Sequence, residues 1–275
     1  MPELPEVETV RKALLLKLKN KKIIDLKVLH NNVFKDQDID LVIKNIKNQT
    51  INDIKRKGKW LMFLLDDYYL LSHLRMEGKY LYRDINSDIE KHELVIFNID
   101  NEFELRYKDV RKFGKMYLVP KDKLNESPIG KLGLEPWDEK LDSEYLLEKY
   151  KNKKLSIKTI LLDQSIITGI GNIYANEILF LSKINPYKKG KDLVKRECDL
   201  IIDNTRKVLE KAIEEGGTTI RSYTSEEGVS GLFQNSLYVH MKENEQCAFC
   251  NEVIIKDKIN GRSVYYCKKC QNVKK

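Results

Sequence analysis

The 275-residue chain has no apolar run long enough to span a bilayer, and its N-terminus lacks the apolar stretch of a secretory signal. The default expectation is a cytoplasmic protein, without membrane attachment, in which thiols stay reduced. There are no internal repeats and no low-complexity segments, so no repeat architecture is expected. Cysteine is nearly absent outside one place. Of five, Cys198 stands alone in an amphipathic helical stretch and reads as a small buried hydrophobe, while Cys247, Cys250, Cys267 and Cys270 fall within the last 29 residues. What the chain has in excess is positive charge. Fifty Lys and Arg against 42 Asp and Glu give a net charge of +8, with a pI near 9.0. That balance favours a polyanionic partner through counterion release.

The pattern along the chain predicts an α+β multidomain protein. Residues 3–19 read as a helix: Glu3, Glu6 and Glu8 suit the positive end of its dipole, Pro5 is tolerated in a first turn, and Leu4, Val7, Val10, Leu14 and Leu18 form an apolar stripe. Residues 22 to about 119 read as short strands without intervening helices, around 23–28, 60–65, 68–74, 94–99, 102–107 and 115–119. Turn signals stand at Asp66-Asp67 and Asp100-Asn101. Such a run predicts an antiparallel β-sandwich, placed at 1–119 with the helix. Residues 120–142, with Pro128, Gly130, Gly133 and Pro136, read as a linker. Helical periodicity follows at 143–151, 156–164, 172–183 and 192–215, with Gly216-Gly217 as a C-terminal stop, so 143–235 reads as a helical domain.

Residues 236–275 form a cysteine module. Two CxxC pairs, Cys247–Cys250 and Cys267–Cys270, are separated by 16 residues, the spacing of a four-thiolate zinc site. Strands at 253–259 and 262–266, joined through Asn260-Gly261, make the intervening segment a hairpin. A redox dithiol or two disulfides are the alternatives, disfavoured in a cytosolic chain without a thioredoxin-like pattern. Four thiolates leave no open coordination position, so one structural Zn2+ is expected and a zinc hydrolase is not. Arg262, just past the hairpin turn, is either a solvated arginine or a phosphate contact.

Met1-Pro2-Glu3 becomes chemically notable once Met1 is removed, as is usual before a small residue. Pro2 then carries a free secondary amine. A generic α-amino group has a pKa of about 7.7–8.0, so part of it is neutral near neutral pH. Attack of a secondary amine on a sugar C1′ gives an iminium ion directly, which acidifies the C2′–H and permits β-elimination. Glu3 lies beside the amine and can act as general acid or base.

The nonapeptide Met1–Thr9 resembles the N-terminus of bacterial formamidopyrimidine-DNA glycosylases, also called 8-oxoguanine DNA glycosylases. Further motifs resemble the family's in the family's order: Lys57-Gly58-Lys59-Trp60-Leu61, His73-Leu74-Arg75-Met76-Glu77-Gly78, Asp109-Val110-Arg111-Lys112-Phe113-Gly114, residues 169–175, and Gly261-Arg262 before Tyr266-Cys267. The resemblance implies a helix–two-turns–helix domain beside the zinc ribbon. It also implies a bifunctional enzyme that excises oxidised purines from double-stranded DNA through Pro2 and nicks the resulting abasic site by β,δ-elimination. Pro2 would be the nucleophile, Glu3 its acid/base partner, and Lys59 a proton donor and phosphate contact, with Arg262 grouped with them. Without the family, Lys59 reads as a solvated charge.

Met76, Arg111 and Phe113 would fill the hole left by the flipped base, Arg111 pairing with the orphaned cytosine. Met76 and Phe113 would otherwise read as core. His73, His92, Lys112, Lys154 and Asn172 would contact DNA, Asn172 also capping the helix it opens. Arg221, Ser222, Tyr223 and Thr224 would belong to a lid over the lesion. Val110 stands where many members carry Pro, and Val239-His240-Met241-Lys242 with Asn244 replaces a more glycine-rich approach to the first cysteine. Two alternatives remain: a relative acting on oxidised pyrimidines, and a non-catalytic zinc-ribbon protein that binds damaged DNA. Nothing in the sequence requires more than one copy of the chain.

Overall fold

The computed structural model describes residues 1–85, 87–218 and 232–273. It divides into two compact units. One holds Met1–Lys131 and the segment from Gly216; the other holds Leu132–Glu215 and the segment from Leu232.

The first unit opens with helix α1, Leu4–Leu18. Its stripe of Leu4, Val7, Val10, Leu14 and Leu18 is fully buried, each side chain contributing about 1.5–3 kcal/mol of burial. Among the described residues eight strands follow: β1 Ile23–Val28, β2 Asp53–Lys57, β3 Trp60–Leu64, β4 Tyr68–His73, β5 Lys79–Arg83, β6 Glu93–Ile99, β7 Phe103–Lys108 and β8 Lys115–Pro120. They form two antiparallel sheets, β1-β6-β7-β5 and β2-β3-β4-β8. Inward residues of both sheets, among them Ile23, Phe97 and Leu105 from one and Ile54, Phe63 and Leu70 from the other, share one apolar core with α1. The antiparallel sandwich read from the sequence is thus present, with Asp100 (φ 54°) and Asn101 (φ 56°) turning β6 into β7.

Two strands and one α-helix in this unit differ from the sequence expectation. Strands β2 and β5 lie at sheet edges, where one side is solvated and charged residues such as Asp53, Lys55, Lys79 and Arg83 are tolerated. The expectation of strands without helices is corrected by α2, Ile39–Ile46. Asp38 caps it by accepting from Asp40 N and Leu41 N, and Val42 and Ile46 lie in the shared core, with Ile39 and Ile43 packed against it.

The second unit contains α3 Ser143–Tyr150, α4 Ile157–Ile160, α5 Asn172–Leu181, α6 Lys195–Glu214, and the ribbon strands β9 Ile254–Ile259 and β10 Arg262–Cys267. Helix α4 is a single turn, shorter than the 156–164 expected, because the chain is drawn away at Gln164. That side chain donates to Leu162 O and Ile170 O and accepts from Gly169 N. Two turns therefore separate α4 from α5. Helix α6 ends where Gly216 (φ 75°) and Gly217 (φ 83°) adopt left-handed backbone, and it buries Cys198. No helix among the described residues is long and apolar enough to cross a membrane.

A buried ion pair joins the two central strands of one sheet. Arg106 on β7 and Glu93 on β6 are both essentially sealed from solvent and meet at 2.9 Å; Arg106 also donates to Ser87 O and Asp88 O. Replacing Arg106 by Leu leaves the Glu93 carboxylate buried without its cation, and urea denaturation should read a loss of about 3–5 kcal/mol. A loss below about 1 kcal/mol would place this pair with ordinary surface bridges.

Candidate active site and metal centre

In the first unit Pro2 and Glu3 are buried at the mouth of α1. Glu3 caps the helix with extended backbone, and its N–H donates to Glu6 Oε2 at 2.9 Å. The other oxygen of Glu6 accepts from Thr218 N (2.9 Å) and Thr218 Oγ1 (3.1 Å). Gly217, in left-handed conformation, lies so close that a Cβ there would come within 2.7 Å of Glu6 Oε1. One carboxylate therefore ties the residue after Pro2 to the stem of the segment that follows Gly217. The sequence reading gave Glu6 only a helix-dipole role; the Glu at the third position of a capped helix was the available signal.

One turn further, Glu8 accepts from Arg11 and from Arg56 on β2. Burial opposes its ionisation, but the hydrogen bonds and charges of Arg11 and Arg56 outweigh this and hold its carboxyl below the usual range. Arg56 also donates to Gly58 O at 3.0 Å. Gly58 (φ 55°) is the first residue of the two-residue turn joining β2 to β3, and Lys59 is the second. Lys59 is not a solvated charge: it is only 6% exposed.

His73, at the end of β4, pairs with Trp60 across the sheet, ring centroids 4.8 Å apart and edge to face. Burial, then the charges of Arg75 and Lys59, push its pKa down to about 3. Its Nδ1 accepts from Arg75 N at 3.0 Å, so the proton of the neutral ring sits on Nε2. That bond shapes a turn in which Arg75 is left-handed (φ 55°) and Met76 is presented to solvent, 39% exposed.

A second turn follows β7. Asp109 is buried and accepts from Arg111 N (3.0 Å) and Gly114 N (2.8 Å); its own N–H donates to His92 O. Lys112 is left-handed (φ 58°). Arg111 lies 4.9 Å over the Phe113 ring, and Phe113 is 50% exposed. Met76 and Phe113, which by composition alone would read as core, are thus displayed on caged turns. In the sequence, the signal for Asp109 is a short acidic side chain opening a tight turn.

In the second unit Gly171, not Asn172, occupies the N-cap of α5, and no side-chain cap bond is made there. The expected capping by Asn172 is corrected: it is the first helical residue, and its Oδ1 has no hydrogen-bond partner among the described residues. Lys154 is exposed in the turn before α4, and Arg262 is exposed at the ribbon tip. Asn260 and Gly261 take the left-handed backbone of a tight hairpin turn, and Asn260 Nδ2 donates to Thr159 Oγ1. Buried Glu177 on α5 accepts from the backbone N–H groups of Tyr238, Val239 and His240, fixing the approach to the ribbon. In that approach Met241 (φ 62°) and Asn244 (φ 68°) occupy the left-handed region that favours glycine. Arg221, Ser222, Tyr223 and Thr224 lie outside the described residues.

The four cysteine sulfurs lie within 4.8 Å of one another. Contacts of 3.8 Å (Cys247–Cys270) and 3.4 Å (Cys250–Cys267 and Cys250–Cys270) are near the edge of about 3.8 Å that a tetrahedron with metal–sulfur bonds of about 2.3 Å requires. The cluster could hold one metal ion.

Residues 1–116 match the family model of the formamidopyrimidine-DNA glycosylase N-terminal domain, and residues 132–224 that of the formamidopyrimidine-DNA glycosylase H2TH domain. The chain is 44% identical over 273 residues to the formamidopyrimidine-DNA glycosylase of Oceanobacillus iheyensis, covering 98% of each chain. It is 44% identical over 276 residues to that of Mycoplasma genitalium, covering 99% of this chain and 96% of the relative. Among solved structures it is similar to a Lactococcus lactis Fpg mutant in complex with Fapy-dG-containing DNA (TM-score 0.92, 37% identity, 99% of this chain and 100% of that one). It is likewise similar to the Lactococcus lactis Fpg with abasic-site DNA (TM-score 0.91, 37% identity, 98% and 100%), and to the same protein with oxidised-pyrimidine DNA (TM-score 0.90, 37% identity, 99% and 100%).

The geometry at His73 makes a spectroscopic prediction. With a folded pKa below the unfolded value, its stabilising contribution is complete above about 6.5 and is lost as pH falls toward the folded value of about 3. Imidazole nitrogen NMR should find Nε2–H and no titration of this ring between pH 8 and 5; a midpoint near 6.5 would refute the buried neutral tautomer.

Proposed function

The chain belongs to the formamidopyrimidine-DNA glycosylase family, whose members excise oxidised purines from DNA in base excision repair, and from this premise we propose that Pro2 is the nucleophile of a combined glycosylase and abasic-site lyase. The observation that carries the proposal is the burial and anchoring of the Pro2-Glu3 segment. Glu3 is 2% exposed, and its N–H is held by Glu6 at 2.9 Å, so removal of Met1 frees an amine whose direction is already set.

In the proposed reaction the neutral Pro2 nitrogen attacks C1′ of the damaged nucleotide. The N–C1′ bond forms as the glycosidic bond breaks, and the base leaves with a proton. Glu3, beside the amine, serves that transfer as general acid or base. Opening of the sugar gives an iminium ion; loss of the C2′ proton sends its electrons toward the 3′ C–O bond, which breaks, and a second elimination releases the 5′ phosphate. Lys59, held in a dry turn, supplies a proton donor and phosphate contact. Neutral His73 offers Nε2–H to a phosphate as a hydrogen bond and not as a charge.

Met76, Arg111 and Phe113 stand ready as the wedge: an exposed thioether and ring on braced turns, with an exposed guanidinium lying over that ring to meet the unpaired base. Asn172, Lys154, Arg262, His92 and Lys112 are proposed phosphate contacts, and the stretch Arg221–Thr224 the lid. The substrate is duplex DNA bearing 8-oxoguanine, formamidopyrimidine or abasic sites, acted on by a single chain in the cytoplasm. One structural zinc is proposed for Cys247, Cys250, Cys267 and Cys270. The four thiolates would fill all four positions, so the metal would hold the ribbon's shape and its exposed Arg262 and take no part in the chemistry.

Borohydride reduction during incubation with an 8-oxoguanine duplex should leave an adduct on Pro2 in protein lacking Met1 and none in protein that keeps it. Binding without adduct or nick in the processed protein would instead favour a non-catalytic binder. Glu3→Gln should slow base excision by about 10²–10⁴-fold. Rates on thymine glycol equal to those on 8-oxoguanine would move the substrate class to oxidised pyrimidines. Stripping the metal with a strong chelator should release one zinc per chain and abolish duplex binding, restored by added zinc; unchanged binding by metal-free protein would remove the ribbon from the interface.

A further inference from the structure

The Met76 turn and the Arg111–Phe113 turn come from different parts of the first unit, yet both close on the same atom. Gly78 ends the first turn, its N–H donating to Leu74 O at 3.0 Å. Gly114 ends the second, its N–H donating to Asp109 Oδ2 at 2.8 Å. A Cβ on either glycine would overlap the phenol oxygen of Tyr107. At Gly114 the three nearest atoms that a Cβ would meet all belong to the Tyr107 side chain.

Tyr107 lies on β7, is fully buried, and packs its ring 5.3 Å from that of Tyr80. Tyr80 uses its hydroxyl, donating to Ser72 Oγ at 2.7 Å. The Tyr107 hydroxyl has no hydrogen-bond partner among the described residues. A buried hydroxyl without a partner costs stability, and phenylalanine would fill the same core volume without that cost. Stability therefore does not explain the oxygen. Its position does, because the oxygen is the only part of the side chain that extends beyond the ring into the gap between the two glycine backbones.

We propose that the Tyr107 hydroxyl is a spacer that sets the distance between the Met76 turn and the Arg111–Phe113 turn, making it a positioning residue for insertion of the wedge into duplex DNA. The two glycines are its seats: without Cβ atoms, both turns approach the oxygen directly. The inference rests on the reading of Met76, Arg111 and Phe113 as the groups that fill the vacated stack. A wedge made from two turns enters one gap between base pairs only if the turns keep a fixed separation, and an error of a fraction of an ångström at such a site is felt in rate.

The test is Tyr107→Phe in the full chain lacking Met1. Three quantities are compared with the parent protein: thermal midpoint, excision of 8-oxoguanine opposite cytosine in a duplex, and nicking of a preformed abasic site in a single-stranded oligonucleotide. Only the duplex presents a stack to fill. The spacer role predicts an unchanged or raised midpoint, duplex excision reduced about tenfold, and single-strand nicking within about twofold. Unchanged duplex excision, or equal losses on both substrates, would overturn it. Gly114→Ala should show the same split, and adding Tyr107→Leu should recover part of the duplex activity by clearing the atoms in the way. Phe113→Ala and Met76→Ala separate the two levels of the claim. If both leave duplex excision intact, the wedge reading falls and the spacer with it. If they lower it and Tyr107→Phe does not, the wedge reading stands and only the spacer falls.

Discussion

The two oxygens of Glu6 face opposite obligations. One holds the N–H of Glu3 and so sets how the chain enters α1; the other holds the backbone and hydroxyl of Thr218, more than two hundred residues later. A carboxylate 2% exposed is stable only when its oxygens are engaged. That requirement makes the direction of Pro2 and the placement of the Gly217-Thr218 stem parts of one constraint. The proposed nucleophile stands at the chain end, where fraying would be the ordinary outcome. The buried carboxylate, together with the fully buried stripe of α1, removes that freedom.

Elsewhere too, the internal structure is held by acidic side chains turned toward backbone N–H groups. Asp109 holds two in the Arg111–Phe113 turn, and Glu177 holds three at the approach to the ribbon. Burial raises the Glu177 pKa, and the three N–H donors oppose the rise without cancelling it. Basic residues such as Arg111, Lys112, Lys154 and Arg262 lie at the surface. With a net charge of +8 they favour a polyanionic partner such as a phosphate backbone.

Much of the fold was legible in the sequence because its signals are local. The α1 stripe, the Asp100-Asn101 turn, the Asn260-Gly261 hairpin and the CxxC spacing each constrain only a few neighbouring residues. The edge strands β2 and β5 were missed because a strand with one solvated side tolerates charge. The short helix α2 was missed because eight residues give barely two turns of periodicity. Helix α4 is shorter than its periodicity suggests because the Gln164 side chain bonds to backbone of the turns that follow it, at Gly169 and Ile170. Motif resemblance singled out Lys59, Met76, Arg111 and Phe113, but composition would have placed Lys59 in solvent and Met76 and Phe113 in the core, the reverse of what the structure shows.

By itself the sequence determined the class of fold, the four-thiolate cluster and the family to which Pro2 and Glu3 point, since these depend on residue type and spacing along the chain. Only the tertiary structure decided that Glu6 links the two ends of the first unit, that His73 is a neutral acceptor beneath the Met76 turn, and that one phenol oxygen lies between Gly78 and Gly114. The Glu6 link and the phenol contact join groups separated in sequence, and the state of His73 depends on its burial; all three arise in space from which water is excluded. There an unpaired charge or a misplaced methyl is costly, and no local pattern of residues records which partners will meet.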